Sequence, residues 1–95
     1  MTARRHPRVI LLVGGDDEVA KECARAAAPL PIVRARHTTV ASDRLRELHP
    51  VAVYVATDLS TQEANDIGRV AAEHSTPLIN LAVEAPEAVH AHVRR

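Results

Sequence analysis

Apolar residues fall along this chain in two rhythms: short unbroken runs, and longer stretches with an apolar residue at every third or fourth position. Arg8-Val-Ile-Leu-Leu-Val13 is too short and too continuously apolar for a helix with a wet face, so it reads as a buried parallel strand. Gly14-Gly15-Asp16-Asp17 supplies a turn and then N-cap chemistry, and Glu18 to Ala28 carries Val19, Cys23 and Ala27 on one helical face. Pro29 and Pro31 end that helix. Ile32 to Ala35 predicts a short second strand, and Thr38 to Leu48 a second helix with Ala41, Leu45 and Leu48 inward, closed by His49-Pro50. Val51-Ala-Val-Tyr-Val-Ala56 is the strongest strand signal, β-branched and unbroken, which predicts a central position. Ser60-Thr-Gln-Glu63 has capping-box spacing and opens a third helix, with Ala64, Ile67, Ala71 and His74 expected along its inner side. Ser75-Thr76-Pro77 breaks it. Leu78 to Ala82 predicts a fourth strand, and Pro86 opens a last helix containing Val89 and Val93.

This β-α-β-α-β-α-β-α order, with short joints and no repeat, predicts an α/β fold. The expected architecture is a three-layer α/β/α sandwich around a four-stranded parallel sheet of order 2-1-3-4, which centres the two all-apolar strands. Residues 1–7 read as a polar leader and 8–95 as a single domain.

Composition narrows the picture. With 95 residues, 46% hydrophobic and 25% charged, the chain has the make-up of one globular unit. Its single aromatic residue is Tyr54, so the core must be built from Ala, Val, Leu and Ile, and association would supplement so thin a core. Twelve basic residues balance twelve acidic ones, which argues against nucleic acid or an anionic membrane as partner. Basic residues gather at the ends (Arg4, Arg5, Arg8; Arg94, Arg95), as solvated termini do. One cysteine, Cys23, has no intramolecular partner, and no apolar run approaches the roughly 20 residues of a membrane span. A cytoplasmic location is the expectation.

With these elements placed, Arg8-Val-Ile-Leu-Leu-Val-Gly-Gly-Asp-Asp-Glu-Val19 and the ungapped stretch from Val33 to Ala56 resemble the receiver domain of bacterial two-component response regulators, a flavodoxin-like fold. The resemblance covers residue 8 to about residue 94 and rests on spacing and apolar pattern. It implies phosphoryl transfer to an aspartate ending the third strand, with an acidic pair after the first strand holding a divalent metal. The matched positions here are Gly14 and Gly15 for the acidic pair, Ala56 for the phosphoacceptor and Ala82 for the switch hydroxyl. The fifth strand of the resemblance has no counterpart. A methyl group or a hydrogen neither ligates a cation nor accepts a phosphoryl group, so the resemblance implies a degenerate, C-terminally shortened pseudo-receiver. It would be no enzyme and hold no cofactor or metal. It would act through protein contacts, as adaptor, signalling regulator or assembly component, and pair with itself or another protein. The expected interface is Leu78, Ile79, Leu81, Val83, Val89 and Val93, near the early end of the sheet.

Two rival readings come from the residues. Asp16, Asp17 and Asp58 fall near the carboxyl ends of adjacent strands, where relocated carboxylates would hold a metal and accept phosphate; their plainer roles are helix capping and loop. The Gly14 to Asp17 turn would let a main chain approach a small anion or nucleotide, but the fuller glycine and lysine signatures are missing and the acidic run repels anions. His90 and His92 are two apart, the wrong spacing for a zinc pair on a helix, and His37, His49 and His74 sit at loops or helix ends. Cys23 reads as core, Ser42 and Ser60 lack a triad partner, and Tyr54 reads as a sheet residue with its hydroxyl at a polar boundary. Arg34 and Arg36 flank an edge strand, where charge discourages pairing.

Overall fold

Strand β1 (Ile10–Val13) is buried at every position, as is β3 (Ala52–Val55), and the two lie side by side in parallel with Leu11 opposite Val53. The computed structural model describes residues 8–93. The expected leader 1–7, the terminal arginines Arg4, Arg5, Arg94 and Arg95, and the side chain of Val93 lie outside the described residues. β2 (Ile32–Ala35) flanks β1 and β4 (Leu78–Asn80) flanks β3, giving the order β2-β1-β3-β4 that the alternation of elements predicts. β2 spans its predicted run, and β1, β3 and β4 are one or two residues shorter than theirs, with flanking apolar residues such as Val9 and Ala56 buried beyond the strand ends.

Helices α1 (Asp17–Ala27), α2 (Thr38–Leu48) and α3 (Thr61–Glu73) are followed by a 3-10 turn at Pro86–Ala88 that runs into α4 (Val89–Val93). Successive strand residues point to opposite faces, so a run with no polar residue feeds two cores at once. Leu11, Val13, Val53 and Val55 pack with Leu45 of α2 and Ile67 of α3. Ile10, Leu12 and Tyr54 pack on the other face with Cys23 of α1 and Val89 of α4.

The final segment therefore covers what the sequence leaves open. Ile79 and Val89, expected in an exposed interface, are buried in one cluster with Tyr54 of β3 and Cys23 and Ala27 of α1, because the 3-10 turn carries the chain back across the sheet. His74, expected on the inner side of α3, is exposed at the C-cap of that helix.

Ser60 caps α3 reciprocally: its hydroxyl accepts from the Glu63 main-chain N–H at 3.1 Å, and the Glu63 carboxylate accepts from the Ser60 main-chain N–H at 2.9 Å. Those bonds, main-chain first, hold the Glu63 carboxyl below its usual range, aided by the charge of His37. Ser60→Ala is expected to cost about 1 kcal/mol in urea unfolding followed by far-UV circular dichroism. A depressed carboxyl contributes stability that is present above its unfolded titration range and lost as pH falls through the folded one. The deficit of the variant is thus expected to narrow on acidification.

Candidate functional site

The carboxyl ends of β1 and β3 form the rim where open α/β sheets bind their ligands. The chain leaves β1 through two consecutive glycines in the left-handed region, Gly14 at φ +79° and Gly15 at φ +84°. A side chain at Gly14 would put its Cβ 2.8 Å from Asp58 Oδ1, and one at Gly15 would meet Val19 at 3.1 Å and the Ala56 methyl at 3.3 Å. Glycine is therefore required twice over, by conformation and by space. The Gly14 N–H donates to the Ala35 carbonyl at 2.8 Å and the Ala56 N–H to the Val13 carbonyl at 3.0 Å, which fixes both turns to the sheet.

The three carboxylates proposed as a relocated site surround a cleft of about 380 Å³ that Arg34 and Arg36 also line. Each turns to a different partner. Asp16 Oδ1 accepts from the Val19 N–H at 3.0 Å and caps α1. Asp17 pairs with Arg34 at 2.9 Å, and Arg34 also donates to the Gly15 carbonyl at 3.0 Å. Asp58 Oδ1 accepts from the Gly15 N–H at 3.0 Å, tying the β3–α3 loop to the glycine turn. Among the described residues no three His, Cys, Asp or Glu side chains converge to hold a metal. The Gly15 N–H, the donor an anion at this turn would use, is directed at the chain's own Asp58.

The other two positions matched to receiver chemistry, Ala56 and Ala82, line a separate cleft of about 200 Å³ between β3, the end of β4 and the start of α3. None of the side chains lining it carries a charge. The turn after β4 is pinned by one residue. The Asn80 carbonyl accepts from the N–H groups of Val83 and Glu84 at 3.0 and 2.9 Å, and its Oδ1 accepts from the Ala82 N–H at 2.9 Å. Val83 projects from this turn 78% exposed, while Leu78 and Leu81 are half-buried.

On the opposite face Tyr54 is fully buried and donates its hydroxyl to the Pro86 carbonyl at 2.6 Å, so the hydroxyl ends at a polar boundary as its sequence context suggests. Burial holds that hydroxyl well above its usual range, with Cys23 and Glu87 adding to the effect. Burial, then the charges of Glu22 and Glu87, pushes the Cys23 thiol up to about 11. A nucleophile needs the opposite shift. Cys23 is expected to alkylate with iodoacetamide at pH 8 far more slowly in the folded chain than in urea. A raised thiol contributes stability that is complete below its unfolded value of 9.0 and lost as pH rises toward about 11, so urea midpoints are expected to fall across that interval.

Among the described residues the histidines join no metal-holding group. His49 and His74 approach with ring centroids 6.3 Å apart at the ends of α2 and α3, and His90 and His92 are exposed on α4. Sequence reasoning misses two residues. Arg34 reads as an edge charge but serves as the clamp between Asp17 and the glycine turn, and Asn80 reads as strand but organises the turn beyond it. Arg34 is the third residue of β2, 17 residues along the chain from Asp17, and no local pattern reveals that the two meet. An Asn at the end of a strand is itself a turn signal. Among the described residues no helix is long and apolar enough to cross a membrane. Comparison with protein families, with curated proteins and with solved structures returned no match to this chain.

Proposed function

We propose that this chain is a non-catalytic, receiver-like domain that acts through protein contacts, as an adaptor, regulator or assembly component. One observation carries the reading: at the ligand-binding rim of a flavodoxin-like sheet stand Gly14, Gly15, Ala56 and Ala82, and the nearby Asp16, Asp17 and Asp58 are each committed to capping, an ion pair or a main-chain donor. Phosphoryl transfer to a carboxylate needs an acceptor presented to a metal-bound phosphate. At this rim the position at the end of β3 presents a methyl group. The carboxylate two residues on, Asp58, uses its Oδ1 to join two loops of its own chain.

The resemblance to receivers in residue pattern, together with the 2-1-3-4 parallel order, supports the receiver-like part of the reading. The balance of acidic and basic residues supports protein over nucleic acid as partner. Incubation with magnesium and acetyl phosphate is expected to leave the intact mass unchanged. A phosphoryl mass gain abolished in Asp58→Asn would overturn this reading in favour of a phosphorylation-dependent regulator.

A further inference from the structure

The stretch Ala85-Pro-Glu-Ala-Val-His-Ala-His92 has little with which to hold itself to a sheet. Val89 is its one fully buried residue, Pro86 and Ala88 are half-buried, and the others are exposed. α4 has five residues, well short of the roughly 12 to 15 that a helix needs to persist alone in water, so its place depends on what it packs against. Just before it the chain is firmly fixed. The Leu81 N–H donates to the Val55 carbonyl at 2.9 Å, and Asn80 accepts from the N–H groups of Ala82, Val83 and Glu84. From Ala85 onward, among the described residues, the bond from the Tyr54 hydroxyl to the Pro86 carbonyl is the one hydrogen bond that ties the segment to the rest of the fold, since the Ala88 N–H turns back to Ala85.

Clefts flank this segment. One of about 310 Å³ runs between it and α1, lined by Glu22, Arg25, Glu87 and His90, so that seam is polar and not an apolar joint. A second, of about 240 Å³, opens beside Val89 and His90 toward Ala27 and Leu30. A third, of about 180 Å³, reaches past Pro86 and Leu81 to Cys23. Atoms that line a gap forgo dispersion contacts on that side, and few buried apolar contacts mark a region of low local stability. Beneath the segment lie Tyr54, Cys23 and Ile79, all fully buried. The opposite face of the sheet is covered quite differently, by helices of 11 and 13 residues that bury Ala41, Leu45, Ile67, Val70 and Ala71.

We propose that residues 85–93 act as a strap over the Tyr54 face, opening about the turn after Asn80 while the sheet and the other helices stay folded, and that this opening gates access to the Cys23 thiol. The hinge is where the main-chain bonds to β3 and to Asn80 end. The latch is the single bond from Tyr54 to Pro86, together with the buried Val89 side chain. Lifting the strap removes Pro86 and Val89 from beside Cys23 and leaves the thiol held only by α1 and the sheet.

Alkylation of Cys23 by iodoacetamide at pH 8, followed by intact mass across a urea series on the full chain, tests the strap. Two variants of matched cost separate its opening from global unfolding. Tyr54→Phe removes the latch bond, and Ile67→Val trims the opposite face, where Ile67 packs with Leu11 and Leu45. Each is expected to raise the globally unfolded population about fivefold. Below the unfolding transition, wild-type alkylation is expected to change little with urea, because opening the strap exposes little surface. Tyr54→Phe is expected to speed it about fivefold, and Ile67→Val to leave it at the wild-type rate. Equal acceleration in both variants, steep in urea from the start, would show that only global unfolding reaches Cys23, and overturns the strap. A rate that neither variant moves overturns it as well, since reagent then enters through the standing cleft.

Discussion

Tyr54→Ala is expected to cost about 3 to 5 kcal/mol, the loss seen when a large buried aromatic is cut to a methyl group. The ring is fully buried in the cluster that joins Ile10 and Leu12 of the sheet to Cys23 of α1 and Val89 of α4. It is the largest of the fully buried side chains, in a core otherwise built of aliphatics, alanines and one cysteine. A domain of this size has a stability toward the lower part of the usual range of about 5 to 15 kcal/mol, so a substantial unfolded population is expected at room temperature. Tyr54→Phe separates packing from hydrogen bonding. It keeps the ring and removes the 2.6 Å bond to the Pro86 carbonyl, for an expected cost of about 1 kcal/mol. That bond is the side-chain tether of the 3-10 turn, so the smaller loss is expected to appear first as faster amide exchange in residues 86–93. Urea unfolding by far-UV circular dichroism is the suitable measure, since both variants remove the only tyrosine. A Tyr54→Ala midpoint equal to that of Tyr54→Phe would show that the ring does not organise this face.

The same residue shows how far the sequence is legible. An unbroken run from Val51 to Ala56 places Tyr54 in a central strand, because a strand with no polar face has helices on both sides. Which helices cover which face does not follow from the run. The expectation of an exposed apolar surface over residues 78 to 93 fails at Ile79 and Val89 for that reason: the path of the chain after Asn80 is set by the turn and by the Tyr54 bond to Pro86, a contact 32 residues away. Local chemistry reads well. Asp16 before α1 and Ser60-x-x-Glu63 before α3 form the caps their spacing predicts, since a cap is decided within one helical turn. Contacts between loops read poorly. Asp58 reaches Gly15 across 43 residues and Arg34 reaches Asp17 across 17, and neither separation leaves a periodic trace.

Installing aspartate at Gly14 and Gly15, to restore the acidic pair of the receiver resemblance, is expected to break the turn instead of building a metal site. Each position sits in the left-handed region, where a side chain costs about 1 to 2 kcal/mol. At Gly14 the new Cβ would also lie 2.8 Å from Asp58 Oδ1, so the bond from the Gly15 N–H to Asp58 must open, and the added carboxylate would face the displaced one. Gly14→Ala and Gly14→Asn place the same Cβ against Asp58, so the difference between them reads the conformational part, because asparagine tolerates positive φ better than alanine does. The expected order of urea midpoints is wild type, then Gly14→Asn, then Gly14→Ala, then Gly14→Asp, with the double aspartate variant lowest. Magnesium is expected to leave that order unchanged, since the methyl group of Ala56 still ends β3 and the Asp17 carboxylate stays with Arg34. A double variant with a wild-type midpoint and a magnesium-dependent rise in melting temperature would mean that the rim keeps room for a cation after all, and that its two glycines are replaceable.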